Sequence, residues 1–143
     1  MKKGFTLIEL LAVIIILSIV AVIAIPIIGD VINTGRESAL EKSTDFYIKE
    51  LETKFSEWVI EGIPLEYENV DGCVVFDVRK LNKVLKLEGT VPESGTVKIN
   101  NDYSASNYFY GFVTEATLNY DGYIVTYTYD TNASHSDINI TKK

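Results

Sequence analysis

One stretch, Phe5 to Ile28, constrains what this chain can become more than any other. It is apolar throughout except for Thr6, Glu9 and Ser18, and Pro26 is its one helix breaker. Wound as a helix rising about 1.5 Å per residue, it is long enough to cross a bilayer. A carboxylate at the centre of such a span costs roughly 2.5–3.5 kcal/mol, so an acid inside the run calls for a named partner. Glu9 lies near one end, which lowers that cost and leaves the need for a partner.

Three simple readings of this N-terminus make checkable demands. A secretory signal would use Lys2 and Lys3 as its basic region and be cut after Ala24, with Val22 as the other small residue. Its apolar core is normally about 7–15 residues, shorter than this run and free of an acid, and Ile25-Pro26 follows the cut. A lipoprotein signal requires a cysteine just after the apolar region, whereas the only cysteine is Cys73. A plain single-span anchor fits the length and leaves Gly4 and Glu9 without a purpose.

The segment KGFTLIELLAVIIIL accounts for both residues: it resembles the N-terminus of the type IV pilin family, including the pseudopilins of type II secretion and competence systems. In that family a short basic leader ends in Gly, a prepilin peptidase cuts after it, and the new N-terminal residue is N-methylated. The resemblance implies that Lys2 and Lys3 are the leader charges, Gly4 the cleavage residue, Phe5 the methylated N-terminus and Glu9 the family's acid four residues on. It further implies assembly into a helical homopolymer by a pilus assembly platform and its ATPase, from a plasma-membrane precursor.

The spacing has a chemical reason. Cleavage creates an ammonium group at Phe5, and an acid four residues along a helix lies one turn away, within reach of its own terminus. In the resembling filaments the acid pairs with a neighbouring subunit. A desolvated charge pair is directional where apolar packing is not, so Glu9 is expected to set axial register between subunits. Before assembly the basic leader faces the cytoplasm; afterwards the same apolar surface is covered by other copies. Pro26 removes one helix hydrogen bond and is expected to bend or loosen the helix there. Many relatives have Gly where this chain has Ser18, so the extent of any melted segment is left open.

From Gly29-Asp30 the composition turns polar and the helix is expected to enter water. Leu40, Tyr47, Leu51, Phe55 and Trp58 then recur at helical spacing on one face, with charged residues largely elsewhere. Gly62 followed by Pro64 stops the helix, giving a rod of roughly 85 Å from Phe5 to about Glu61. Val74-Val75-Phe76 suits a strand, and Asp77 caps a short helix whose apolar residues are Leu81, Val84 and Leu85. Thr96 to Ile99 is expected as a short strand in an otherwise loop-rich segment. Phe109 to Tyr120 and Gly122 to Tyr129 read as a hairpin turning at Asp121-Gly122, with Tyr123, Val125, Tyr127 and Tyr129 on one face. The tail from Thr131 is polar with weak alternation. The expected fold is α+β: a long N-terminal helix, hydrophobic in its first half and amphipathic in its second, packed on a small antiparallel sheet. Residues 1–4 are the leader, 5–28 the membrane and polymerisation helix, and 29–143 the headgroup, with Leu51, Phe55 and Trp58 in its core.

Little points to catalysis. His135 is the sole histidine and sits in the polar tail, and Cys73 has no disulfide partner within the chain and suits a buried structural thiol. Asn100-Asn101-Asp102 and Asp130 to Asp137 only loosely resemble the calcium site of some pseudopilins, so no metal or cofactor is expected. Asn132-Ala133-Ser134 and Asn139-Ile140-Thr141 match a glycosylation pattern that arises often by chance. The net charge of -7 becomes more negative once Lys2 and Lys3 are removed, which disfavours nucleic-acid phosphates. The sequence therefore reads as a non-catalytic pilin-like subunit. The alternatives are a pseudopilin of a secretion or DNA-uptake machine and a membrane-anchored surface-binding module that never polymerises.

Overall fold

A computed structural model describes residues 4–62, 65–101, 111–130 and 135–143. The first helix, α1 (Leu7–Glu61), is continuous. The chain nevertheless divides into two compact units, residues 1–38 and 39–143, because the side chains of the first have nothing of their own to pack on.

In the first unit no described residue is buried. Every large hydrophobic side chain from Phe5 to Ile32 is between 45% and 85% exposed, as an all-round apolar helix must be when nothing covers it. Pro26 lies within the unbroken helix; lacking an N–H, it gives the Val22 carbonyl no regular i+4 partner. Ser18 turns its hydroxyl back onto the Ile14 carbonyl at 2.7 Å, and Thr34 does the same to Asp30 at 3.0 Å. Both hydroxyls are thus satisfied within the helix itself.

The second unit is built around the remainder of α1. Leu40, Thr44, Tyr47, Ile48, Leu51, Phe55 and Trp58 are its buried stripe, and Gly62 ends the helix with a positive φ of 68°. The stripe covers one face of a six-stranded antiparallel sheet in which sequence neighbours are also spatial neighbours. The strands are β1 (Glu68–Val70), β2 (Cys73–Asp77), β3 (Ser94–Asn100), β4 (Val113–Tyr120), β5 (Tyr123–Asp130) and β6 (His135–Lys142), with a second helix, α2 (Val78–Leu85), between β2 and β3. Alternation places Val74 and Phe76 of β2, Val97 and Ile99 of β3, Ala116 and Leu118 of β4, and Val125 and Tyr127 of β5 in the core. Phe55 meets Phe76 edge to face at 6.1 Å. The one buried polar side chain among the described residues, Thr44, is satisfied by the Tyr120 hydroxyl at 3.1 Å. The α+β class and its long helix on an antiparallel sheet are as the sequence implied.

Several details depart from expectation. Val84 is 43% exposed while Val78 is buried with Leu81 and Leu85, because α2 starts directly at its cap: Asp77 accepts from the Arg79 N–H at 2.8 Å. Cys73 is half-buried and free, since it shares a sheet face with Val75 and Asp77, opposite Val74 and Phe76. The polar tail is an eight-residue strand paired along its whole length with β5, from Tyr123↔Lys142 to Asp130↔His135. Its end is pinned where the Lys143 N–H donates to Gly122 and its ammonium to the Tyr120 carbonyl, at 3.0 and 2.9 Å. Phe109, expected at the start of the hairpin, lies outside the described residues.

Glu52 ties α1 to the point where β3 and β4 lose register. Its carboxylate accepts the Val113 N–H at 2.9 Å, next to the irregularity between Lys98 and Ile99. Burial raises the Glu52 pKa above the ordinary 4.5, partly opposed by that hydrogen bond. Burial first, and then the Glu52 charge, push the Tyr127 hydroxyl up to about 12. A raised carboxylate favours folding in its protonated form, so this contribution is complete below the ordinary carboxylate range and is lost as pH rises through the folded value. Glu52→Gln keeps an acceptor for Val113 and removes the charge. It is expected to raise the midpoint of thermal unfolding at neutral pH, read from the sole tryptophan, Trp58, in detergent-solubilised protein, and to flatten its dependence on pH above 4.5.

A second prediction concerns Gly95, opposite Leu118. Its φ is +138°, and a Cβ added there would stand 1.9 Å from the Thr117 carbonyl oxygen. Backbone, not a flexible side chain, blocks it. Gly95→Ala is expected to destabilise the sheet unit by more than about 3 kcal/mol, measured by the same Trp58 melt; an unchanged midpoint would contradict the β3–β4 register.

Candidate functional site

The residues singled out in the sequence gather at the start of α1, and one more joins them. Leu7 is the first helical residue, so Thr6 is the N-cap and Glu9 the third helical position. The Glu9 Oε2 accepts both the Thr6 backbone N–H and the Thr6 hydroxyl, each at 2.8 Å. Reciprocally, the Glu9 N–H donates to Thr6 Oγ1 at 3.3 Å. This is a capping box, in which two otherwise unpartnered helix-start donors are satisfied by exchange between the first and fourth residues. Leu10 donates to the Thr6 carbonyl at 3.2 Å, closing the first turn.

Thr6 was not among the functional candidates read from the sequence, although the pattern Thr-x-x-Glu before an apolar run is itself a helix-start signal. Its presence changes what Glu9 does in the isolated chain. The carboxylate is held by its own helix end, where the macrodipole also favours negative charge. Glu9 is therefore partnered within its own chain, while its side chain remains exposed.

Gly4 and Phe5 precede the box. Neither backbone conformation nor space requires glycine at position 4: a Cβ there would meet nothing within 4 Å, and its φ is not in the left-handed region. Phe5 is 84% exposed and lies outside the hydrophobic core. These two residues thus make no detectable contribution to the fold. Leu51, Phe55 and Trp58, by contrast, are core residues of the sheet unit and lie apart from the Gly4–Glu9 group in sequence.

The other sequence candidates do not converge. His135 opens β6 with its Nε2 3.3 Å from Asp137, both side chains more than half exposed. Among the described residues no group of three or more His, Cys, Asp or Glu is placed to hold a metal ion. Asp102 and residues 131–134, parts of the two segments compared with a calcium site, lie outside the described residues, as does the first glycosylation pattern. Asn139, of the second, is exposed on β6.

Residues 1–25 match the family model of the prokaryotic N-terminal methylation motif. The chain thus carries the class III signal peptide of type IV pilins at the start of an apolar helix, and α1 is long and apolar enough to cross a membrane. No curated protein and no solved structure shows significant similarity to the chain. The motif implies processing by a prepilin peptidase, and it covers all four residues of the site, Gly4, Phe5, Thr6 and Glu9.

The box gives a direct prediction. Thr6→Val removes Oγ1, leaving Glu9 only the backbone N–H of residue 6, and is expected to cost about 0.5–2 kcal/mol at the helix start. Amide exchange of Glu9 and Leu10, the two amides bonded to Thr6, in detergent micelles should quicken severalfold in Thr6→Val and stay near the parent rate in Thr6→Ser. Equal rates in all three would mean that the box does not hold the first turn.

Proposed function

We propose that this protein is a non-catalytic structural subunit of a type IV pilus, cut after Gly4, methylated on Phe5 and polymerised through α1. The observation that carries the reading is the uncovered apolar surface from Phe5 to Ile32, headed by a capped carboxylate within the methylation motif. Such a surface needs either lipid or other copies of itself. Exchanging one for the other keeps the same side chains out of water, so membrane extraction forfeits little apolar burial.

Glu9 supplies what apolar contact lacks. After cleavage the Phe5 ammonium stands one residue before the box, so the Glu9 carboxylate can exchange its Thr6 bonds for the ammonium of a neighbouring subunit. The pair is charge-assisted and strong in a low dielectric. Misaligned neighbours leave both charges unpaired, which penalises wrong register. A non-polymerising anchor has no use for this acid beyond helix capping. The partners in this reading are further copies of the chain, a prepilin peptidase, the plasma membrane before assembly, and an assembly platform with its ATPase. The finished location is a cell-surface filament serving adhesion, motility or biofilm formation. A pseudopilus uses the same N-terminal chemistry and differs in filament length and extracellular display.

Glu9→Ala separates polymerisation from anchoring. Membrane insertion should persist, since removing a charge makes the span more apolar, while filaments sheared from the cell surface should fall at least about tenfold. Wild-type yield in that variant would remove the register argument. Gly4→Val adds bulk where the fold tolerates it and should accumulate uncut precursor; mature protein at parental levels would contradict peptidase recognition of Gly4.

A further inference from the structure

Two surfaces of the sheet unit carry charge at helix ends, with opposite signs. The last turn of α1 has no basic residue, and Glu61 adds a carboxylate to the end where the macrodipole is already negative. Beside it Ile60 is 85% exposed, the most exposed large hydrophobic side chain among the described residues of this unit. At α2 the sign reverses. Arg79 and Lys80 occupy its first turn, near the positive end, with no acid in that turn. Four of the chain's 13 Lys and Arg lie from Arg79 to Lys86, and no Asp or Glu occurs from Val78 to Leu87. The Glu61 placement works against its helix dipole, whereas at α2 the Asp77 cap carboxylate offsets Arg79 and Lys80, and Lys83 lies in the last turn, where a cation is favoured.

Next to α2 runs a groove of about 320 Å³ with Leu65, Phe76, Leu81 and Val84 as its apolar lining and Lys80, Lys83 and Glu66 as its charged residues. Lys80 is paired with Glu66 at 2.5 Å. Lys83 and Glu61 make no ion pair among the described residues. Lys83 does act on Glu66, and Glu61 on Lys54, through space, but neither is held in a close pair, so the groove offers an apolar floor beside Lys83 and the end of α1 an exposed isoleucine beside Glu61.

We propose that the last turn of α1 in one copy seats Ile60 in the α2 groove of the next, with Glu61 facing Lys83. The contact rests on the filament reading and deepens it by naming a headgroup interface. Its two sides are different patches, so it is heterologous. Repeated from copy to copy it generates an open helical array instead of a closed dimer. The charges fix orientation, and the isoleucine supplies the desolvated anchor.

The test uses the full chain with Cys73→Ser, assembled on cells. Ile60→Cys and Val84→Cys together, treated with a short bis-maleimide, should give a ladder of linked multimers in sheared filaments, and neither single variant should. Separately, Lys83→Glu should lower filament yield about tenfold and the added Glu61→Lys should restore it. Filaments that form normally but show no ladder, linked dimers from Ile60→Cys alone, or a Lys83→Glu yield equal to that of the parent would each overturn this contact. If the parent chain forms no filaments at all, the filament reading itself fails and the contact fails with it.

Discussion

Water cannot serve as the final surroundings of α1. Nineteen large hydrophobic side chains between Phe5 and Ile32 stand at least 45% exposed around every side of the helix, and no stripe of polar residues offers them a wet face. At about 25 cal/mol per Å² of apolar surface, leaving such a helix in water is prohibitive. Lipid and further copies of the chain both solve the problem. Apolar contact alone does not distinguish one sliding position from another, so a polymer built on this surface needs a directional element.

In the proposed filament the directional element is the carboxylate of Glu9, which in the single chain is held at its own helix start. Thr6 and Glu9 exchange hydrogen bonds at the helix start, so the acid is satisfied locally and the first turn is fixed. The box lies wholly after Gly4, so the proposed cut leaves both of its residues in the chain. In the proposed filament the same carboxylate gives up these bonds for a neighbour's ammonium, a change of partner with charge conserved. In that proposal a capping box and a register pin are two uses of one residue, and the difference in strength between them decides which state prevails.

Much of this was legible in sequence because it rests on period and punctuation. The spacing of Leu40, Tyr47, Leu51, Phe55 and Trp58 marks one helix face, and Gly62 marks its end; both appear in the fold. β2, β3, β4 and β5 follow from alternation and from Asp121-Gly122. β6 did not show, because only Ile138 and Ile140 in it face the core, and an edge strand needs no more than that once β5 supplies its hydrogen bonds. β1 is three exposed residues and carries no pattern at all. The Glu52 contact to Val113 joins residues 61 apart in sequence and depends on a strand irregularity that no local signal announces. Thr6 is legible as well, since Thr-x-x-Glu before an apolar run is a helix-start signal that supplies Glu9 with a partner on its own chain.

The central claim is that this chain is cut after Gly4 and displayed in a surface polymer. Intact-mass and N-terminal peptide mass spectrometry of protein sheared from cells tests it most directly. The account predicts a chain that begins at Phe5 with one added methyl group, recovered in the sheared fraction. A chain beginning at Met1 and confined to membranes, or one beginning at Ile25 and secreted, would contradict it.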